Sequence, residues 1–269
     1  MNETRKTNEI EGAPAGVPAA ATRHRVLGVE ILSATTAEAI AWLDEASAPT
    51  FVAFANANLL NIAARDPALR DVLRRFVILN DGIGVDIAAR MLDGRGFAEN
   101  LNGTDFTPAF LADTAHARRI YLLGADADSV AEAAARLAER FPRHRIVGHH
   151  HGYLSDDDHE AIVDRIKLSG ADTLLVAMGN PRQERWIARH GASTGCTLIF
   201  GVGALFDFLA GRVVRAPRLV RQARMEWLFR LAQEPRRLAE RYLIGNGLFL
   251  YRVARQRRQE RQRRGRPKP

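Results

Sequence analysis

The sequence predicts an α/β protein: a mostly parallel sheet with helices on both faces, followed by a basic helical C-terminal appendage. Three observations carry this. Between Val26 and Ala210, short apolar runs alternate with stretches of helical periodicity. Within Thr173 to Leu209, two strand–glycine–helix turns follow one another directly, through Gly179-Asn180-Pro181 and then Gly201-Val202-Gly203. After Ala210, arginine takes over: residues 212–269 hold 17 Arg and 1 Lys against 4 Glu, a net of 18 − 4 = +14. The preceding 211 residues keep 21 basic and 27 acidic groups, a net of −6. A basic tail on an acidic body suggests an anionic surface, membrane or nucleic acid.

Composition sets the outer bounds. With 269 residues, 46% hydrophobic and 26% charged, the chain is long enough for one large soluble domain with an appendage. The lone Cys196 excludes an internal disulfide and, beside an apolar strand, reads as packing. The polar start MNETRKTNEIEG lacks an apolar signal core, and no apolar run reaches the ~20 residues of a membrane span. Cytoplasmic residence is the expectation.

Taken in order, residues 1–24 are rich in Gly, Pro, Ala and polar groups without period, and predict disorder. Val26–Leu32 reads as a strand, Thr35–Glu38 as a helix start, and Ala39–Glu45 as its amphipathic turns. Thr50–Ala55 is the next strand, closed by Asn56-Ala57-Asn58. Helical periodicity from Leu59 to Phe76 breaks at Asp66-Pro67. Phe76–Leu79 is a strand ending in Asn80-Asp81-Gly82-Ile83-Gly84, and helix resumes over Val85–Leu92. Asp81 therefore stands at a strand's carboxyl end, either as a turn aspartate or as a cleft carboxylate.

Arg95–Asn102 reads as a loop and Gly103-Thr104-Asp105 as the entry to a helix reaching His116. Arg119–Leu123 is a strand, and Gly124-Ala125-Asp126 leads into a helix over Asp128–Phe141. Arg145–Gly148 is a strand entering His149-His150-His151. Adjacent histidines point different ways on extended chain, so they predict a loop rim near substrate rather than a metal site. Ser155–Asp158 caps a helix to Leu168, its acids suiting a helix N-terminus without a cation.

Thr173–Met178 is too uniformly apolar for a half-exposed strand, and so predicts an interior parallel one. Pro181 suits a first helical position, which makes Asn180 the N-cap, Arg182–His190 the helix, and Gln183 a capping-box side chain reaching back to Asn180. Thr197–Phe200 is the second strand of the pair, and Ala204–Leu209 a short helix. Two helix N-termini at the carboxyl edge of a parallel sheet suit a phosphorylated ligand, though such glycines also simply make tight turns. There is no GxGxxG, GxxxxGK, GxSxG or HExxH.

Arg212, Arg215, Arg218, Arg221 and Arg224 recur at three-residue steps, with Trp227, Phe229, Leu248 and Phe249 among the apolar groups that follow. The pattern suits amphipathic helices lying shallowly in a membrane interface, or a solvated basic face. The expected organisation is a disordered tail over 1–24, a catalytic body over 25–211, a basic appendage over 212–251 and a disordered polybasic tail over 252–269. On that division, a truncation after Arg212 stays folded, because the preceding alternation already completes a sheet.

Across residues 26–250 an ordered set of motifs resembles the WecG/TagA/CpsF family of bacterial glycosyltransferases. The motifs are ANANLLNIA, LNDGIGV, NGTDF, IYLLGA, IVGHHHGY, ADTLLVAMGNPRQERWI, GVGALFDFLAGRVVRAP and EWLFRLAQEPRRL. The resemblance implies a Rossmann-like body and an inverting transfer of a sugar, often N-acetylmannosamine, in making cell-surface polysaccharide. The donor it implies is a UDP-sugar, and the acceptor is polyprenyl-diphosphate-linked at the inner face of the cytoplasmic membrane. No metal or other cofactor and no nucleic acid is expected, and a homo-oligomer stays open.

By motif, the resemblance makes Asp81 the catalytic base. It places substrate contacts at Asn56, Asn58, Thr104, Gly124, Gly179, Gln183, Gly201, Gly203 and Asp207, with Arg230 and Arg237 from the appendage. Where many members carry Thr-Pro-Asn or Thr-Ala-Asn, this chain has Asn56-Ala57-Asn58. That exchange of hydroxyl for amide leaves the donor sugar open among N-acetylmannosamine and related hexoses or uronic acids. Two other classes fit the residues alone: a nucleotide-binding module without catalysis, and a nucleic-acid-binding protein using the arginine tail.

Overall fold

The computed structural model describes residues 21–217, 226–233, 235, 239 and 243–264. Its centre is one eight-stranded sheet in the order β1-β2-β4-β3-β8-β7-β5-β6. The strands are β1 (Arg23–Val26), β2 (Val29–Leu32), β3 (Thr50–Ala55), β4 (Phe76–Asn80), β5 (Arg119–Gly124), β6 (Arg145–His150), β7 (Thr173–Ala177) and β8 (Leu198–Gly201). Only β1 and β2 pair antiparallel; every other neighbour is parallel. β3, β4, β7 and β8 are buried along their whole length, as strands covered on both faces must be.

Helices cover the two faces. On one lie α2 (Ala57–Ala63), α3 (Pro67–Leu73), α4 (Ile83–Asp93), α7 (Asp158–Ser169) and α8 (Arg182–His190), packed through Leu59, Leu69, Val85, Ile166 and Ile187. On the other lie α1 (Thr36–Asp44), α5 (Gly103–Asp113), α6 (Ala127–Arg140) and α9 (Leu205–Leu209), packed through Leu43, Phe110, Val130 and Phe206. This α/β/α sandwich has the mostly parallel sheet that the alternation of runs predicted and is Rossmann-like, as the resemblance implied. Side chains along β3 alternate between the layers: Phe51, Ala53 and Ala55 face the first, Val52 and Phe54 the second.

Local chemistry accounts for the helix starts. Thr35 and Glu38 form a reciprocal capping box on α1. Asn56, Asp66, Asn102 and Asp126 each cap the next helix by accepting a backbone N–H. Asp66-Pro67 is the break between α2 and α3 that the sequence marked.

Several expectations need correction. Val26–Leu32 is not one strand but the second half of a hairpin, turning at Leu27 (φ 50°) and Gly28 (φ 85°). β1 begins at Arg23 and Ala21 packs against the core, so the body starts inside the expected 1–24 tail, whose first 20 residues lie outside the described ones. β6 runs through His149 and His150, which are strand residues rather than a loop rim.

The largest correction concerns the C-terminus. α10 (Glu226–Gln233) is followed by α11 (Gly245–Arg264), which runs straight across the expected boundary at 251/252 and is helical where disorder was expected. Phe249 and Val253 are fully buried, in the same core cluster as Leu59 and Val85. Arg252 Nη1 donates to Asn61 O (3.0 Å) and Oδ1 (2.7 Å), and Asn61 Nδ2 donates to Gly245 O (2.8 Å). Gln256 grips the hairpin turn, donating to Arg25 O (2.9 Å) and accepting from Leu27 N–H (2.8 Å). Phe249 is thus in protein, not lipid, and a truncation after Arg212 strips part of the body's core.

Candidate functional site

All strands from β2 to β8 point the same way, so their carboxyl ends share one edge. β3 and β7 lead into α2 and α8 on one face, while β8, between them, leads into α9 on the other. Neighbouring connections that part to opposite faces leave a crevice at the strand ends, where open α/β sheets bind ligands.

Four loops meet there. Asn56, just after β3, spends its Oδ1 capping α2 by accepting Leu59 N–H (3.1 Å). Its Nδ2 then faces Asp81 Oδ2 at 3.3 Å and Asn180 Oδ1 at 3.5 Å. Asp81 follows β4, half-buried, its N–H donated to Ala55 O at 2.9 Å. The next residue, Gly82 (φ 94°), donates its N–H to Asn100 Oδ1 at 2.9 Å, tying the NDGIG turn to the loop before α5. Two candidates 25 residues apart, Asn56 and Asp81, are therefore joined directly.

Gln183 and the glycines behave differently from expectation. Gln183 is buried, and its Oε1 accepts from both Gly179 N–H (3.2 Å) and Gly203 N–H (3.1 Å). The side chain clasps the loops after β7 and β8 together. A Cβ on Gly201 would stand 2.9 Å from Gln183 Nε2, so glycine makes room for the clasp. The two N–H groups that suited a phosphate are turned inward to this amide. Nor is Asn180 the N-cap: Pro181 holds that position with no side-chain cap bond, after a cis Asn180–Pro181 peptide. No capping box forms between Gln183 and Asn180. Both side chains donate instead to one oxygen, Glu184 Oε1, at 2.5 Å from Asn180 Nδ2 and 2.9 Å from Gln183 Nε2.

Glu184 is the residue the sequence reading passed over. It has no exposed surface, and burial pushes its carboxyl up to about 7, against the hydrogen bonds from Gln183 and Asn180. A signal existed: Gln183, Glu184, Ile187 and Ala188 share one helical face, and two of them are plainly apolar.

The remaining candidates spread around this centre. Asn58 lies half-buried in the first turn of α2. Thr104 is drawn into the α5 start, donating to Asn102 Oδ1 (2.7 Å) and accepting from Arg215 Nη2 (3.2 Å); Arg215 also pairs with Asp105 at 2.6 Å. Gly124 (φ 144°) packs so tightly that a Cβ would come within 2.4 Å of Ala177 O. Asp207 lies in α9, half-buried, its carbonyl accepting Arg212 N–H at 2.9 Å. Arg230 belongs to α10, but its side chain, like the whole of Arg237, lies outside the described residues. Among the described residues no group of three or more His, Cys, Asp or Glu is arranged to hold a metal ion, and no helix is long and apolar enough to cross a membrane.

A family model described as "Glycosyl transferase WecG/TagA/CpsF family" matches residues 24–263. Relatives include the N-acetylglucosaminyldiphosphoundecaprenol N-acetyl-beta-D-mannosaminyltransferases of Staphylococcus aureus strains MW2 and NCTC 8325. Each is 32% identical over 211 residues, covering 77% of this chain and 81% of the relative. The corresponding protein of strain MRSA252 is 32% identical over 212 residues.

Proposed function

The chain belongs to the WecG/TagA/CpsF family of glycosyltransferases, and we propose that it moves N-acetylmannosamine, or a related hexose or uronic acid, from UDP to a polyprenyl-diphosphate-linked sugar. In this reading Asp81 is the general base. It takes the proton from the acceptor hydroxyl as that oxygen bonds to the anomeric carbon. The bond from that carbon to the UDP β-phosphate oxygen breaks on the opposite side, which inverts the centre. The departing diphosphate gains negative charge, and arginines of the segment after residue 212, Arg230 and Arg237 among them, neutralise it without a divalent cation.

One observation carries the proposal: a half-buried carboxylate at the mouth of the β3/β8 crevice, held by the side-chain amide of Asn56. A carboxylate so placed can accept a proton from a bound hydroxyl. The net +14 of residues 212–269 supports approach to an anionic membrane face, where such an acceptor resides.

The test uses UDP-N-acetylmannosamine and a polyprenyl-diphosphate-N-acetylglucosamine acceptor, with and without EDTA. Asp81→Asn keeps the shape and removes the basicity. Turnover should fall roughly 100-fold or more while UDP affinity persists. Near-normal turnover in that variant refutes the base assignment, and activity abolished by EDTA refutes the metal-free scheme.

A further inference from the structure

The reaction scheme leaves Glu184 without a role, although it is fully buried directly beneath the site. A side-chain amide keeps its shape when turned over, so its direction must be imposed by neighbours that can only donate or only accept. Backbone N–H groups impose it on two of the three amides here. Gly179 and Gly203 N–H require Gln183 to present Oε1, and Leu59 N–H requires Asn56 to present Oδ1. Asn180, the third, has no such backbone group among its hydrogen bonds. Its Nδ2 donates to Glu184 Oε1, and its Oδ1 consequently faces Asn56 Nδ2. Turned over, Asn180 would set donor against donor at Asn56.

We propose that Glu184 is a positioning residue: by fixing the direction of Asn180, it keeps an acceptor opposite Asn56 Nδ2, whose own direction Leu59 N–H sets, and so steadies the Asn56 hydrogen bond to Asp81. The inference rests on Asp81 being the base. Two donors converge on Glu184 Oε1, whereas Oε2 is buried with no hydrogen-bond partner among the described residues. A proton on this carboxyl therefore belongs on Oε2, and Oε1 remains an acceptor whether or not the group is ionised.

The experiment compares Glu184→Gln, Glu184→Met and Asn180→Ala in the full chain. It measures kcat, donor KM, UDP affinity and melting temperature with the donor and acceptor named above. Gln keeps an acceptor oxygen at the Oε1 position, so its kcat should stay within about threefold of wild type. Met matches the volume without an acceptor and should lower kcat roughly tenfold or more, with UDP affinity within about threefold. Asn180, only half-buried, removes the relay from its other end without opening the core. Asn180→Ala should reproduce the kcat loss, and it decides the matter if Glu184→Met does not fold. Where both fold, the double variant should be no worse than the poorer single one, because the two act in series.

Wild-type kcat in either Glu184→Met or Asn180→Ala, or losses that multiply in the double variant, overturns the proposal. So does a Gln variant as impaired as Met, which would mean charge rather than direction matters. Asp81→Asn in parallel separates the two claims. Near-normal turnover there refutes the base. Its full loss beside an unaffected Glu184→Met refutes the positioning role alone.

Discussion

Phe249→Ala tests whether the last helix belongs to the enzyme's body. The ring is fully buried, and a Cβ on Gly84, in the NDGIG turn, would lie 3.9 Å from its Cε1. Truncating a buried Phe costs the transfer of its lost carbons plus the cavity left behind, about 3–5 kcal/mol. Against a typical total of about 5–15 kcal/mol, that is a large fraction of the stability. At about 2–4 °C per kcal/mol for a domain of this size class, the melting temperature should drop by roughly 6–20 °C. The assay is a circular-dichroism melt at fixed protein concentration, paired with sedimentation on anionic vesicles. Vesicle binding by the folded variant should be unchanged, because every arginine is kept. A melting temperature within about 2 °C of wild type, with weakened vesicle binding, would refute the reasoning and return Phe249 to the lipid-facing role its sequence context suggested.

Two further predictions concern the clasp beneath the crevice. Gln183→Leu keeps the bulk but strands the N–H groups of Gly179 and Gly203, and should cost about 1–3 kcal/mol in denaturant titrations, with activity surviving in the folded fraction. Normal stability with lost turnover would instead make Gln183 a substrate contact. Stability should also depend on pH through Glu184, whose carboxyl rises on folding from its ordinary 4.5 to about 7. The folded state therefore holds a proton that the unfolded state releases. The Glu184 contribution to stability is greatest below 4.5, falls as pH rises to 7 and is flat above it, by roughly 3 kcal/mol in all. Glu184→Gln should lack that slope between pH 5 and 7.5, and an identical slope in the variant would refute the assignment.

The sheet was legible because its strands are contiguous apolar runs and its helices carry a 3.6-residue period, two patterns that cannot be confused over this length. Asn56 and Asp81 were legible as strand-end residues within motifs. Their direct bond was not, since it depends on β3 and β4 being neighbours in register. The hairpin at Leu27-Gly28 was missed because its two short strands together look like one. Asn180 and Gln183 carried strong capping chemistry, but both amide NH2 groups donate to the buried Glu184, and Gln183 Oε1 accepts from the Gly179 and Gly203 N–H groups. In α11 the inward stripe of buried Phe249 and Val253 and half-buried Gln256 is one residue wide amid arginines, so charge masked the packing face.

The order of strands in the sheet sets the order of events when the protein is made. β8 is the last strand in sequence, yet it sits near the centre, pairing β3 on one side and β7 on the other. Without Leu198–Gly201 the sheet divides into two halves, whose facing edge strands, β3 and β7, are buried along their whole length in the finished protein. One half carries Asn56 and Asp81; the other carries Asn180, Gln183 and Glu184. Closure joins strands about 150 residues apart, Thr50 with Leu198, the kind of distant pairing that makes folding slow and leaves sticky edges open to other chains. The nascent protein thus passes most of its synthesis as two unfinished parts, and its cleft comes into being in the single step that also hides its most aggregation-prone surface.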